Sequence, residues 1–547
     1  MQKLIIFLAG LVATCTAQTP QSGKSYEGLK ARTPDAINID DLPSELDLVM
    51  AEAKMGARKA QFRLGHAYLT GTLGVKKNEA EALAWLKKSA IQGDPDAQYN
   101  LGVCYQFQIG VGKDLNLASD FYRKAAEQGH PFAQNSLGVC YLNGIGVKPD
   151  DKEAVKWFLK AASQGDTFAE ANLGDCYAFG MGVGKDTVAA FSWYLKAAQH
   201  GNSQGQVNVG IYLKNGTGTI KNLTEALGWF KKSAEQNNPY AQFELGSIYW
   251  DGLQVDQDYA VAFMWFTKAA IQGHAAGQGM VGFCYETGYG VKKNPGTAVS
   301  WYLKSAEQGN PWSQFRYGTC YFNGFGVDVN RATARTWIEK AAKQGLTDAE
   351  AMLAALFIDE NNYLQAEQYA QKSSDKGSMF GQFALGSCYL ASTDEQKRLN
   401  GRKLIEASAE QGFAAAQSLA GELSLKGICG KKDAIAGVNW FRKAAEQGDA
   451  QGQFNLAGSY LSGEGVIKDE IEAYALLNLS GVTNSKARDV IKLLESLLST
   501  EARIVAQQRA KQIQKEIESK KASAEGSIES VQQLLKEAER IRALKGS

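Results

Sequence analysis

Proline and histidine are scarce in this chain, and neither sign of charge dominates. There are 9 prolines and 4 histidines in 547 residues, and 59 Lys and Arg face 58 Asp and Glu for a net charge of +1. So little proline beside 57 glycines excludes collagen, which needs both at high density, and proline-rich disorder. The balanced charge excludes a chain built to cover nucleic acid, whose basic residues would show in the total. Long hydrophobic runs are missing too. The stretch Leu4 to Ala13 falls short of the roughly 20 apolar residues that span a bilayer, so no transmembrane segment is expected.

Catalytic and metal-binding signatures are also lacking. The chain has no His-x-x-x-His pair, no Cys-x-x-Cys, no Gly-x-Ser-x-Gly and no phosphate-binding glycine loop ending in Lys-Ser or Lys-Thr, so neither a cofactor, a metal nor an enzymatic role is expected. His66, His130, His200 and His274 lie far apart, the last three at turns. Gly-x-Gly pairs such as Gly144 and Gly146 recur along the chain, which marks them as turns rather than a phosphate site.

What is present begins with a leader-like segment over 1–17. Lys3 gives a short positive start, Leu4 to Ala13 an apolar run, and Cys15-Thr16-Ala17 small residues before a cut ahead of Gln18. This pattern predicts export, secreted or periplasmic. Val12-Ala13-Thr14-Cys15 also resembles a lipoprotein box, although Thr14 stands where Gly, Ala or Ser is usual; a lipid anchor at Cys15 is the alternative. Residues 18–43 read as a linker.

The rest is one unit written about twelve times. Glycines of the pair that begins Leu-Gly fall at Gly65, Gly102, Gly138, Gly174, Gly210, Gly246, Gly282 and Gly318, one interval of 37 residues and six of 36. In HPFAQNSLGVCYLNGIGVKPDDKEAVKWFLKAASQG, residues 130–165, Ala133, Leu137, Cys140 and Tyr141 form one helical face, which predicts helix A over Pro131 to Asn143. A glycine loop follows, then Asp150 as a helix start, and helix B with Ala154, Trp157, Phe158, Ala161 and Ala162, stopped at Gly165. Gly138 lies inside helix A, where glycine costs about 1 kcal/mol relative to alanine, so two helices should approach closely there. Trp85, Trp157, Trp193, Trp229, Trp265, Trp301, Trp337 and Trp440, with Phe121 standing in once, recur at one site on helix B; the stripe predicts a continuous buried spine. Cys104, Cys140, Cys176, Cys284, Cys320 and Cys388 share another site, one per repeat. Equivalent helices in neighbouring repeats lie about 8–10 Å apart, too far for a disulfide, so buried thiols are expected.

Ala133-Gln134, Leu137-Gly138, Tyr141, Gly144, Gly146-Val147, Ala154, Trp157, Lys160-Ala161-Ala162 and Gln164-Gly165 together resemble the Sel1-like repeat, a relative of the tetratricopeptide repeat. The resemblance implies an all-α, right-handed α-α superhelical solenoid over 57–484, in units 57–93, 94–129, 130–165, 166–201, 202–237, 238–273, 274–309, 310–345, 346–377, 378–412, 413–448 and 449–484. The unit at 346–377 lacks the glycine loop. Residues 44–56 read as an N-terminal capping helix and 485–547 as a charged helical cap, with helices near 485–498, 500–521 and 528–543.

The resemblance also implies that A helices line a concave face that binds protein or peptide partners. Two residues before the helix A glycine stand Asn100, Ser136, Asn172 and Asn208, and far down the chain Asn455; amides suit pairing with an extended backbone. Tyr99, Phe243, Trp250, Phe315 and Phe322 are candidate pockets for partner side chains. The alternative is that these asparagines bond within the solenoid and the aromatics pack between repeats. A non-catalytic interaction scaffold is therefore the expected function. The rivals are a surface-tethered structural protein and a hydrolase like the disulfide-rich branch of the family, whose second cysteine per repeat this chain lacks.

Overall fold

The computed structural model describes residues 44–482 and 484–525. The expected leader, Cys15, the 18–43 linker and the helix near 528–543 lie outside the described residues. Among those described, every regular element is an α-helix, and the chain divides into two compact units, with the boundary along the sequence between Asp258 and Tyr259.

In the first unit α1 (Glu45–Lys54) precedes α2 (Arg58–Thr70), α3 (Glu79–Ile91), α4 (Pro95–Phe107), α5 (Leu115–Glu127), α6 (Pro131–Asn143), α7 (Asp151–Ser163), α8 (Thr167–Phe179), α9 (Thr187–Gln199), α10 (Ser203–Asn215), α11 (Leu223–Glu235) and α12 (Pro239–Asp251). The second unit runs α13 (Tyr259–Ile271), α14 (Ala275–Thr287), α15 (Pro295–Glu307), α16 (Pro311–Asn323), α17 (Arg331–Lys343), α18 (Thr347–Asp359), α19 (Tyr363–Asp375), α20 (Met379–Leu390), α21 (Glu395–Glu410), α22 (Ala414–Lys426), α23 (Ala434–Glu446), α24 (Ala450–Ser462), α25 (Glu470–Ser480), α26 (Ser485–Leu497) and α27 (Thr500–Glu525). From α2 to α25, even numbers are A helices and odd numbers B helices. Each unit is an all-α repeat solenoid.

One repeat shows why the residues fold this way. The imidazole Nδ1 of His130 caps α6 by accepting the Ala133 amide at 3.1 Å, and Asp150 Oδ1 caps α7 by accepting the Glu153 amide at 3.0 Å. Between them, the Asp150 amide donates to the Tyr141 carbonyl at 3.0 Å, which ties the start of helix B to the last turn of helix A. Two glycines are dictated by close approach. A Cβ on Gly138 would stand 2.6 Å from Phe158 Cε1, so the ring of helix B lies directly on the backbone of helix A. Gly146 has φ +65°, and a Cβ there would land on the Leu115 carbonyl of the preceding repeat.

That contact corrects the expected tryptophan spine. Among the residues of that stripe only Trp157 is buried, at 8% exposure; Trp85, Phe121, Trp193, Trp229, Trp265, Trp301, Trp337 and Trp440 are partly exposed. The residue after each is the buried one: Leu86, Tyr122, Phe158, Tyr194, Phe230, Phe266, Tyr302, Ile338 and Phe441. Consecutive helical residues point about 100° apart, and only the second aims at the helix A glycine. The first turns toward the preceding repeat, as Trp157 does against Tyr122 and Ala126. Its outer face is covered by the lysine one turn on: Lys160 Nζ stands 3.9 Å from the Trp157 ring centre and Lys340 Nζ 3.7 Å from that of Trp337.

The six recurrent cysteines are buried in the same layer. Burial pushes the Cys140 and Cys320 thiols up to about 12 and Cys388 to about 11, so they act as small apolar side chains. At the C-terminal end α27 packs across α25, where Arg509 Nε meets Glu472 Oε2 at 2.9 Å, and buries Ala506, Ile513 and Ile517.

Candidate functional site

Within each unit the A helices form the inner side. In the second unit α18 approaches α20 and α22 approaches α24, while no neighbouring pair of B helices comes as close. In the first unit side chains of successive A helices touch directly, as His130 Nε2 does Asp96 Oδ1 at 3.2 Å. A concave face lined by A helices is therefore the surface on which the sequence candidates must be judged.

In the first unit, most of them are engaged by their neighbours. Asn172, 7% exposed, donates through Nδ2 to Asn135 Oδ1 at 2.8 Å, from α8 to α6. Asn208, equally buried, accepts from Gln204 Nε2 at 3.1 Å. Asn100 donates to the Asp96 carbonyl at 2.8 Å and stays partly exposed, as does Tyr99, whose ring stacks on His130 with centroids 5.0 Å apart. Ser136, Phe243 and Trp250 are buried at 3, 4 and 4% exposure, out of reach of a partner in this structure. In the second unit Phe315 and Phe322 are partly exposed and pack beside Leu353 and Phe357; the guanidinium of Arg331 covers the Phe322 ring at 3.6 Å. Asn455 accepts from Gln451 Nε2 at 2.8 Å. The row is thus a chain of internal bonds more than an array of open amides.

The sequence reading missed the charged groups of the same face. In the first unit Lys214 Nζ pairs with Glu244 Oε2 at 2.9 Å. In the second, Glu286 takes Arg316 and the Tyr302 hydroxyl together. The Arg316 guanidinium lies 5.7 Å from the Trp312 ring centre and 6.0 Å from those of Phe283 and Tyr302. Burial holds the Tyr302 hydroxyl well above its usual range. The signal was available: each opposite-charge pair is 30 residues apart, one repeat less about two helical turns. Near the repeat that lacks the glycine loop, a depression of about 590 Å³ is lined by Lys343, Glu350, Tyr369, Lys372 and Lys376, with Lys376 Nζ on Glu350 Oε2 at 2.7 Å. Among the described residues no cluster of three or more His, Cys, Asp or Glu forms a metal site, and no helix is long and apolar enough to cross a membrane.

A comparison with curated proteins finds no match. Among solved structures, c5321, a protective antigen present in uropathogenic Escherichia coli strains and displaying an SLR fold, is 32% identical. It covers 86% of this chain and 95% of its own, with a TM-score of 0.51. A Sel1 repeat protein from Oxalobacter formigenes is 28% identical over 63% of this chain and 99% of its own, with a TM-score of 0.41. The Sel1 repeat model matches residues 58–94, 95–130, 131–166, 167–202, 203–238, 239–274, 275–310, 313–346, 349–378, 414–449 and 450–480. It leaves out the helix pair α20 and α21. With the glycine contact, the capped helix pairs and these matches in hand, the chain belongs to the Sel1 repeat family.

Proposed function

We propose that this is an exported, non-catalytic scaffold that holds a protein or peptide partner against the inner, A-helix faces of its solenoid units. The observation that carries the reading is the set of aromatic and amide side chains left partly exposed there: Tyr99 and Asn100 in the first unit, Phe315 and Phe322 in the second. Such groups supply contact area and hydrogen bonds at little conformational cost. Asn172 and Asn208 contribute by stiffening the face, and Ser136, Phe243 and Trp250 are not part of the contact set. Export rests on the leader-like residues 1–17; the antigen character of the similar Escherichia coli protein supports a location that antibodies reach.

Photo-crosslinking tests the reading. A benzophenone amino acid at Tyr99 or Phe315 should capture a discrete partner in the native host, and one at the outer, exposed Lys87 should not. Equal capture at both positions, or capture only at Lys87, would sink it. N-terminal sequencing of the exported form should begin at Gln18.

A further inference from the structure

The start of α8 holds a carboxylate less fully paired than four caps that hold the same place in other repeats, Asp94, Asn202, Asn238 and Asp449. Asp166 caps α8 through Oδ1, which accepts the Ala169 amide at 2.7 Å. The residue is 4% exposed, and Oδ2 is buried with no hydrogen-bond partner. At the same position, Asn202 reaches Thr167 Oγ1 at 3.4 Å and Asn238 reaches Ser203 Oγ at 3.3 Å. Asp94 has Arg58 Nε at 3.6 Å, and Asp449 Oδ2 receives both Ser418 Oγ and the Gly452 amide. For Asp166 the residue corresponding to Thr167 and Ser203 is Pro131, at the first position of α6, which has no hydroxyl to give.

The surrounding charges do not make up the loss. Glu170, one turn on in α8, is fully buried, but its charge is met by Lys196 Nζ at 3.2 Å and His200 Nδ1 at 2.9 Å from α9. His130, at the head of α6, spends Nδ1 on the Ala133 amide and Nε2 on Asp96. On α7, Lys160 lies over Trp157. Asp166 is left buried and half-paired.

We propose that the junction between α6, α7 and α8 is a proton-responsive joint: with Asp166 neutral the first turn of α8 is closed against the preceding repeat, and with Asp166 ionised it opens. A neutral carboxyl is an ordinary buried cap, whereas an ionised one is a charge without compensation in a low-dielectric site. Burial raises the Asp166 carboxyl from its usual 3.8 to about 6, Glu170 adds to the rise, and the Ala169 and Phe168 amides and His130 oppose it. The folded state therefore holds the proton to higher pH than the unfolded one. Closure is fully stabilised below the usual carboxylate range and is lost as pH rises through about 6.

Hydrogen–deuterium exchange on the full-length protein tests this, with the Asn202-capped α10 as internal reference. Between pH 7.5 and 5.0 the protection of the first turn of α8 relative to that of α10 should rise about tenfold. In Asp166→Asn, which installs the cap that α10 and α12 use, the ratio should stay flat. In Pro131→Ser, which restores the missing hydroxyl, it should change by less than about threefold, because the donor lowers the carboxyl again. A flat or falling ratio in the wild type, or a wild-type slope retained in Asp166→Asn, overturns the proposal. A wild-type slope in Pro131→Ser overturns its assignment to the missing hydroxyl.

Discussion

Gln164 Nε2 donates to Gln134 Oε1 at 2.8 Å, and Gln134 Nε2 donates in turn to the Ala126 carbonyl at 3.1 Å. Three consecutive helices, α7, α6 and α5, are thereby stitched by two amides. The same relay joins Gln128 to Gln98, Gln236 to Gln206, Gln308 to Gln278, Gln344 to Gln314 and Gln447 to Gln417. Where one glutamine is replaced, its partner is replaced in kind: Glu170 faces His200 and Glu350 faces Lys376.

The relay predicts a double-mutant cycle. Gln134→Glu alone should destabilise by about 1–3 kcal/mol, because a buried carboxylate replaces an amide that donated to a carbonyl. Adding Gln164→Lys should recover at least half of that loss, since it recreates the Glu350–Lys376 pairing. Urea titration followed by circular dichroism reads both. Additive losses would show that the two side chains do not act as a unit.

Glycine substitutions should divide by what a Cβ meets. At Gly138 it would strike the Phe158 ring at 2.6 Å, so Gly138→Ala should cost about 1–3 kcal/mol despite alanine's better helix propensity. At Gly228, in α11, nothing stands within 4 Å, and Gly228→Ala should stabilise by about 1 kcal/mol. The pair is read from melting temperatures, and the two shifts should have opposite sign.

Helix B substitutions distinguish the buried seam from its flank. Phe230 is fully buried, and Phe230→Ala should cost about 3–5 kcal/mol through the cavity it leaves. Lys232 only covers the Trp229 ring, at 4.4 Å, and Lys232→Ala should cost under about 1 kcal/mol. The tryptophans should also quench with acrylamide in the native state, which a fully buried spine would prevent.

Much of this was legible in the sequence because a repeat prints each position many times. The pair of helices, the loop and the reason for Gly138 followed from periodicity alone. What period could not separate was Trp157 from Phe158: both lie on the apolar arc of α7, and only the partner helix tells which faces the glycine. The inner face was legible as a row but not as a set of contacts. Asn172 meets Asn135 only because a neighbouring repeat happens to offer an acceptor, and the partly exposed Glu286 is paired only because Arg316 and Tyr302 stand beside it. Such pairings belong to particular repeats, which a consensus averages away.

Thiol labelling should report the same layering. Cys140, Cys284, Cys320 and Cys388 are buried with raised thiols, so in the native protein they should react only as fast as their repeats open. Cys429 is partly exposed and should label first. Mass spectrometry after timed alkylation at pH 8 identifies the order; early modification of Cys140 would contradict the packing.

The Arg316 group offers the sharpest separation of pairing from packing. Arg316 and the Tyr302 hydroxyl both bond to Glu286 within walls formed by Phe283 and Trp312, while the equivalent positions one repeat away carry Met280 and Met352 for Arg316, Trp250 and Phe322 for Glu286, and Phe266 and Ile338 for Tyr302. Arg316→Met alone should cost about 3 kcal/mol, because it strands the Glu286 carboxylate in a site that excludes most water. Replacing all three, as Arg316→Met with Glu286→Leu and Tyr302→Phe, removes every stranded group and fills the space as neighbouring repeats do. The triple variant should therefore return to within about 1 kcal/mol of the wild type, or exceed it. If the triple variant is as unstable as the single one, the ion pair itself stabilises the second unit; recovery would instead show that the pair is dispensable for folding, leaving its charged inner face to be explained by what the unit binds.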